Sequence, residues 1–326
     1  MLCIYNDHTN PYFNLAAEEY FFNEYDDDVF RLWRNANTIV VGKHQNTNAE
    51  INVDYVNTKG IKVVRRLSGG GAVFQDLGNI CYTFIATRSD DVGIDFKRYT
   101  QPVIDVLQKL GVDARFEGRN DITIDGKKFS GNAQYIRQNR VMHHGTILFS
   151  SQMTDLSEAL KVDPLKYKDK AVKSVRSRVT NISDHLKQPI EVTDFITMIM
   201  DHILETSTDA ERHDLTDEDV AGIEELVKEK YETWDWNYGV SPKYAFHNTT
   251  RTSGGSIEVV MDVHDGVIRD LKFYGDFFGK RDVADIEEAL RSVSHEADEM
   301  KEALKDHPIG EYFANVSMDE LIGAMF

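Results

Sequence analysis

Apolar residues recur along this chain with two different periods, and the switches between them divide it into blocks. Asn10-Pro11 precedes YFNLAAEEYFF and predicts a helix: asparagine can cap the first turn, and proline suits a first position that needs no N–H partner. The runs VFRLWR, TIVVG, KVVRR, AVFQ and NICYTFIA are short, rich in β-branched and aromatic residues, and separated by Gly and Asn clusters, so they predict strands. Helical spacing returns over 95–110, DFKRYTQPVIDVLQKL, and stops at Gly111, with Pro102 able to kink it. Ile122-Thr123-Ile124, then Asp125-Gly126, then KKFSGNAQYI predicts a hairpin, because an Asp-Gly pair fits the tight turn between antiparallel strands. VMHHGTILFS at 141–150 adds a strand, and helical spacing dominates 152–231, with a polar loop at 207–216. The pattern breaks around Trp234–Lys243, where Ser241-Pro242 marks a connection. Beyond it, SIEVVMDV, Asp265-Gly266 and VIRDLKFY predict a second hairpin, followed by helices at about 282–305 and 317–324. The mixture predicts an α+β fold in two domains, residues 1–244 and 245–326.

Composition narrows the class. With 326 residues, 41% hydrophobic and 28% charged, the chain can bury a real core and is not a disordered or low-complexity polymer. Its 37 basic and 55 acidic residues leave a net charge of −18, a field that repels phosphate backbones and anionic membranes, so neither nucleic acid nor a membrane is expected as a partner. There are 2 cysteines, Cys3 and Cys81, and no CxxC pair. No basic segment leads into an apolar run at the N-terminus, and no apolar stretch approaches the ~18 residues of a membrane span. These features predict a cytoplasmic protein.

Against that acidic background, four stretches carry chemistry. In RRLSGGGAVFQDLGN, residues 65–79, three glycines follow a strand, so the backbone can turn tightly and its N–H groups can cradle an anion. Arg65 and Arg66 add planar, permanently charged donors. The stretch is neither a GxxxxGK[ST] phosphate loop nor a GxGxxG dinucleotide loop, since Phe74 stands where the third glycine would be. A plain glycine turn with a solvated arginine pair remains the alternative. In GRNDITIDGKKFSGNA, residues 118–133, strand alternation after the turn places Lys128 and Ser130 on one face and Phe129 on the other. If Phe129 enters the core, Lys128 lies over the open side beside small neighbours, whereas Lys127 sits at the turn; two solvated lysines are the alternative. His143 and His144 face opposite sides of a strand, so they cannot easily share a metal, and one buried and one surface histidine is the simpler reading. No metal-ligand motif occurs. Finally, SVRSRVTN, residues 174–181, places two arginines where they could meet a phosphate or simply decorate a loop.

Taken together and in order, NPYFNLAAEEYFF, RRLSGGGAVFQDLGNICYTFI, GRNDITIDGKKFSGNAQ, HHGTILFS, SVRSRVTN and SGGSIEVVMDVHDGVIRDLKFYGD resemble the lipoate–protein ligases nearly end to end. That family belongs to the superfamily of biotin ligases and octanoyl transferases. The resemblance implies a class II synthetase-like catalytic domain of mixed and antiparallel sheets flanked by helices, with a small α+β accessory domain. It implies ATP and Mg²⁺ as cofactors and lipoate as substrate. The implied acceptors are lipoyl domains of 2-oxoacid dehydrogenase complexes and the glycine cleavage H protein. It places the adenylate-binding arginine at Arg66 and the nucleotide-cradling loop at Gly71, Ala72, Val73 and Phe74. Lys128 becomes the catalytic lysine that contacts both the lipoyl carboxylate and the α-phosphate. Asn120 and Asp121 fall on the adenylate side, and Arg65, Ser68 and His144 on the lipoate side. Many relatives carry His where this chain has Gln75. A rival within the superfamily is a cysteine-dependent octanoyl or lipoyl transferase that needs no ATP, for which Cys81 is the available thiol.

Overall fold

In the computed structural model the described residues are 1–45, 47–87, 95–118, 120–152, 159–160, 179–239, 246–264 and 267–326. The chain opens with β1 (Leu2–Tyr5) and α1 (Pro11–Glu24), followed by β2 (Val29–Trp33) and β3 (Thr38–Val41). Two short helices, α2 (Thr47–Glu50) and α3 (Val53–Lys59), lead to β4 (Lys62–Arg65), β5 (Val73–Gln75) and β6 (Asn79–Thr87). After α4 (Phe96–Lys109) come β7 (Ala114–Glu117), β8 (Asp121–Ile124), β9 (Lys127–Arg137) and β10 (Arg140–Leu148). Then follow α5 (Val192–Thr206), β11 (Glu211–Arg212), α6 (Asp217–Leu226) and π-helical turns at Val227–Tyr231 and Asp235–Gly239.

Eight strands form one sheet in the order β11-β1-β2-β6-β10-β9-β8-β7, and β4-β3-β5 form a second, smaller one. α1 is capped by the Asn10 side chain, which accepts the Tyr12 N–H, with Pro11 at the first turn as expected. It is buried on most of its surface because it packs with residues of both sheets, Trp33, Cys81 and Ile85 from the large one and Val40 and Val64 from the small one. α4 runs through Pro102. Burial of Val103, Ile104, Val106 and Leu107 in the main core offsets the missing backbone bond. Asp125 and Gly126 have φ of 51° and 71°, the two left-handed residues that a type I′ turn requires. Beyond that turn the alternation slips: Thr123 pairs with Lys128 and Ile122 with Ser130, so Phe129 is an extra residue in a bulge. Phe129 enters the core as expected, but Ser130 is buried as well.

The C-terminal part contains β12 (Phe246–Thr252), β13 (Gly255–His264) and β14 (Val267–Gly275) in a three-stranded antiparallel sheet. The Asp265-Gly266 turn lies outside the described residues, but β13 and β14 pair as the sequence predicts. Four short helices follow: α7 (Ala284–Leu290), α8 (Ala297–Ala303), α9 (Ile309–Tyr312) and α10 (Met318–Gly323). The expected helix over 282–305 is two helices. Ser292 adopts φ 68°, its N–H donates to the Ile268 carbonyl, and the Ile268 N–H returns to Val293, so β14 captures the backbone that would have continued the helix. One hydrophobic cluster, from Ile257 to Met325, draws on this part alone.

Candidate active site

Where the small sheet faces the large one, a cavity of ≈ 460 Å³ opens, and the glycine run forms part of its rim. Arg66 organises that run from within. Its Nη2 donates to the carbonyls of Gly69 (2.8 Å) and Gly71 (2.9 Å), its Nε to Ser68 Oγ (3.0 Å) and its Nη1 to the Val40 carbonyl (3.3 Å). A trans peptide directs C=O and N–H oppositely, so these contacts turn the N–H groups of Gly70 and Ala72 away from the guanidinium. Neither N–H has a hydrogen-bond acceptor among the described residues. Gly70, at φ 98°, needs the left-handed conformation. Gly42 permits the close crossing beneath it, because a Cβ there would lie 2.0 Å from the Gly70 carbonyl oxygen. Burial lowers the Arg66 pKa to about 10, countered in part by Glu18, so the group stays charged at neutral pH. The result is a cationic loop with unpaired N–H donors, the chemistry of an anion site.

Beneath the loop runs a buried relay. Ser68 Oγ meets His144 Nε2 at 2.5 Å, His144 Nδ1 meets Glu18 Oε1 at 2.8 Å, and Thr83 donates to the same carboxylate at 2.6 Å. Burial alone would raise the Glu18 pKa; the His144 charge, the hydrogen bonds from His144 and Thr83, and Arg31 outweigh it and hold the carboxyl below its usual range. Ser–His–acid order does not make Ser68 a nucleophile here, because Ser68 is outside the cavity lining and its hydroxyl already accepts from Arg66. His144 and Glu18 do line the cavity.

The β8–β9 hairpin supplies the opposite wall. Lys128 Nζ lies 2.8 Å from Asp121 Oδ1, and the two side chains are 41% and 38% exposed. The lysine stem lies across Gly131, where an added Cβ would come within 2.8 Å of Nζ. Asn120 and Asn132 tie the loop to the strand, each side-chain amide donating to the other's backbone carbonyl at 2.6 and 3.0 Å. Asn132 Oδ1 in turn accepts from the Tyr82 hydroxyl and meets His143 Nε2 at 3.3 Å, while Gln134 Nε2 meets His143 Nδ1 at 3.0 Å. Since the Gln134 amide nitrogen can only donate, His143 carries its proton on Nε2. A third wall, from Leu15, Trp33, Val40, Val73 and Cys81, is apolar. Asp276 and Phe278 reach the cavity from the C-terminal part, whose Gly275 N–H donates to the His44 carbonyl (2.6 Å) and whose Asp282 pairs with Lys43 (2.8 Å).

A model of the lipoyl protein ligase A/B catalytic domain matches residues 10–204, and one of the bacterial lipoate protein ligase C-terminus matches residues 241–325. The chain belongs to the lipoate–protein ligase family. Lipoate–protein ligase 1 of Staphylococcus aureus is 41% identical over 98% of this chain and 98% of its own. The bipartite lipoate protein ligase of Thermoplasma acidophilum, solved in a study of that ligase and its E2 lipoyl domain, superposes with a TM-score of 0.66 at 29% identity, over 75% of this chain and 98% of its own. A lipoate–protein ligase A bound with ATP superposes with a TM-score of 0.64 at 27% identity, over 74% of this chain and 98% of its own.

Of the residues that the ligase resemblance singles out, Arg66, Gly71, Ala72, Val73, Phe74, Asn120, Asp121, Lys128 and His144 all line this one cavity. Arg65 does not, and this corrects its placement beside lipoate. Its guanidinium is spent on the carbonyls of Gly42, Gln45, Trp236 and Asn237 and on Thr47 Oγ1, pinning the π-helical turn of Asp235–Gly239 to the small sheet. Ser68 is likewise buried under the loop. Both histidines are buried, against the expectation of one surface histidine. The arginines of residues 174–178 lie outside the described residues, but Val179 lines the cavity and bridges to Lys128. Cys81 does face the cavity, yet burial and then the Glu18 charge push its thiol well above its ordinary range, the opposite of what an acyl-accepting thiolate needs. Glu18 lines the same cavity, and the sequence reading missed it. A signal is available in the sequence: Leu15, Phe21 and Phe22, helical neighbours three and four residues away, are apolar.

Two histidines give this fold an acid limit. Burial, with Lys43 adjacent, pushes His44 down to about 3, and burial beside His144 holds His143 well below its usual range. The unfolded chain binds a proton on each near pH ~6.5 while the folded chain refuses it. Stability is therefore full above that pH and falls as pH falls, by up to about 1.4 kcal/mol per pH unit for each histidine. Thermal melts from about pH 7.5 to 5 should show a falling Tm; a flat profile would contradict neutral burial.

Proposed function

We propose that the protein activates lipoate with ATP and passes the lipoyl group to a lysine of an acceptor protein. The supporting observation is a single cavity that combines an apolar wall, a glycine loop with free N–H donors, and the Lys128 ammonium. In the first step a lipoate carboxylate oxygen attacks the α-phosphorus, the bond to the bridging oxygen breaks, and pyrophosphate leaves with lipoyl-AMP retained. In the second, an acceptor lysine amine attacks the activated carbonyl, the carbonyl–phosphate bond breaks, AMP leaves and the amine proton passes to solvent. Negative charge gathers first on phosphoryl oxygens and then on a tetrahedral oxyanion, where Lys128 and the loop N–H groups would stabilise it. Leu15, Trp33 and Val40 would hold the acyl tail and Arg66, Asn120 and Asp121 the adenylate side, an orientation term in its own right.

Mg²⁺ fits as a companion of the triphosphate. No group of three His, Cys, Asp or Glu side chains gathers among the described residues, so phosphate oxygens and water would supply its ligands. The acceptors in this reading are lipoyl domains of 2-oxoacid dehydrogenase complexes and the glycine cleavage H protein. Residues 1–244 act as the catalytic unit, and 245–326 as an accessory unit that closes one side of the cavity. No helix of the described residues is long and apolar enough to cross a membrane, and the reading places the enzyme in the cytoplasm. The test is pyrophosphate release from ATP on adding lipoate without acceptor. A stoichiometric burst is expected; none with lipoate bound would overturn the activation step.

A further inference from the structure

Gln75 stands on β5 with Val73, two residues apart and therefore on the same face of the strand. The register sets Val73 opposite Val40 and Gln75 opposite Thr38. Val40 and Val73 belong to the apolar wall, and Gln75 lines the same cavity while only 3% exposed. It brings an amide into a hydrocarbon slot.

The orientation of that amide is set from a distance. Arg31, only 1% exposed, can only donate; its Nη2 gives a hydrogen bond to Asn14 Oδ1 at 2.6 Å. Asn14 therefore presents its Nδ2, which donates to Asn35 Oδ1 at 3.0 Å. Asn35 then presents its own Nδ2, which donates to Gln75 Oε1 at 2.8 Å. Each amide in the series is forced one way round by the one before it. Gln75 is left with its carbonyl occupied and its Nε2–H₂ group without an acceptor among the described residues, on a side chain that lines the cavity.

A buried donor at the apolar part of a site asks for an acceptor on the tail of the ligand. We propose that Gln75 is a specificity-determining residue, whose amide N–H₂ donates to a sulfur of the acyl tail and so separates lipoate from octanoate. This rests on the lipoate reading above. Octanoate is the same eight-carbon acid without the two sulfurs. Both acids bring a carboxylate to Lys128 and hydrocarbon to the slot, so the carboxylate end cannot tell them apart. Sulfur is a weak acceptor, but octanoate offers none and also displaces the water that would otherwise satisfy the amide. Leaving a buried donor unpaired weakens binding by roughly 5- to 150-fold, and the weakness of sulfur places the expected preference near the low end, about ten-fold.

The experiment measures calorimetric affinity of the full chain for lipoate and for octanoate, without ATP, and separately for ATP. The wild-type protein should prefer lipoate by about ten-fold. Gln75→Met keeps the length and removes the donor, and should bring the ratio near one through a gain of octanoate affinity, with ATP affinity unchanged and a lower Tm because Asn35 Nδ2 loses its acceptor. Asn35→Asp replaces the donor that holds Gln75 Oε1 by an acceptor, so the Gln75 amide turns over; the same loss of preference should follow although residue 75 is unaltered. A ratio unchanged in Gln75→Met, or no preference in the wild-type protein, overturns the proposal. So does a loss confined to ATP affinity, which would give the amide to the nucleotide base. If the wild-type protein binds neither acid, the lipoate reading fails and takes this inference with it. If it binds lipoate but releases no pyrophosphate, only the ligase reading fails, and the affinity ratio still decides the role of Gln75.

Discussion

Lys128→Ala is expected to lower lipoyl-adenylate formation by about 10²–10³-fold, the usual cost of removing one donor aimed at developing charge. The fold should be unaffected. Lys128 and Asp121 are 41% and 38% exposed, and an ion pair that open to water contributes little to stability. Lys127→Ala is the matched control, since Lys127 is exposed at the turn and absent from the cavity lining. Adenylate yield and melting temperature of both variants check the assignment. An inactive Lys127→Ala beside an active Lys128→Ala would shift the site by one residue. Full activity in both would remove catalysis from this hairpin.

Gly131→Ala tests position rather than presence. Its backbone does not require glycine, for φ there is not positive, so alanine fits the strand. The added methyl would meet Lys128 Nζ at 2.8 Å and Cε at 2.9 Å, both at the free end of a flexible chain. The lysine yields and the core does not. A catalytic group displaced by about 1 Å loses up to about 10² in rate, so adenylate formation should fall by one to two orders of magnitude with Tm unchanged. Gly310→Ala, where nothing lies within 4 Å of the new carbon, should behave as wild type. Equal rates in the two variants would show that Lys128 need not lie across Gly131.

The contrast between neighbouring residues shows what the sequence could and could not reveal. Lys128 was legible because a two-residue turn sets the parity of the strand behind it, and the bulge at Phe129 left that lysine on the cavity side. Arg65 and Arg66 were not separable. In KVVRR both valines are apolar, so alternation does not say which face meets the cavity. Val64 packs with α1 whereas Val63 faces the outer cluster, and this sends Arg65 outward to Asn237, a partner 172 residues away. Glu18 was masked by its neighbour, since Glu18-Glu19 in a helix reads as a solvated pair unless the apolar Leu15, Phe21 and Phe22 around it are weighed. Phe278 could not be read at all. Its place depends on how the C-terminal part docks, with a Gly69 Cβ position 2.3 Å from the Phe277 carbonyl oxygen and the Phe278 ring against Phe96 at 5.7 Å. The first helix, the strands flanking the glycine run and both hairpins were read closely, because turn chemistry and apolar period are local, whereas β1, α2, α3, β7, β11 and β12 were missed, being too short or too polar to show a period. The long-range polar relays were not legible, because each link joins residues from different elements.

The central claim is that one cavity couples ATP to lipoylation through Lys128. Intact mass of a purified lipoyl domain, incubated with the enzyme, lipoate, Mg²⁺ and ATP, tests it most directly. A single lipoyl addition is predicted that disappears when ATP is withheld or when Lys128→Ala replaces the enzyme. Acyl transfer without ATP from a thioester donor, accompanied by an acyl adduct on Cys81, would contradict it.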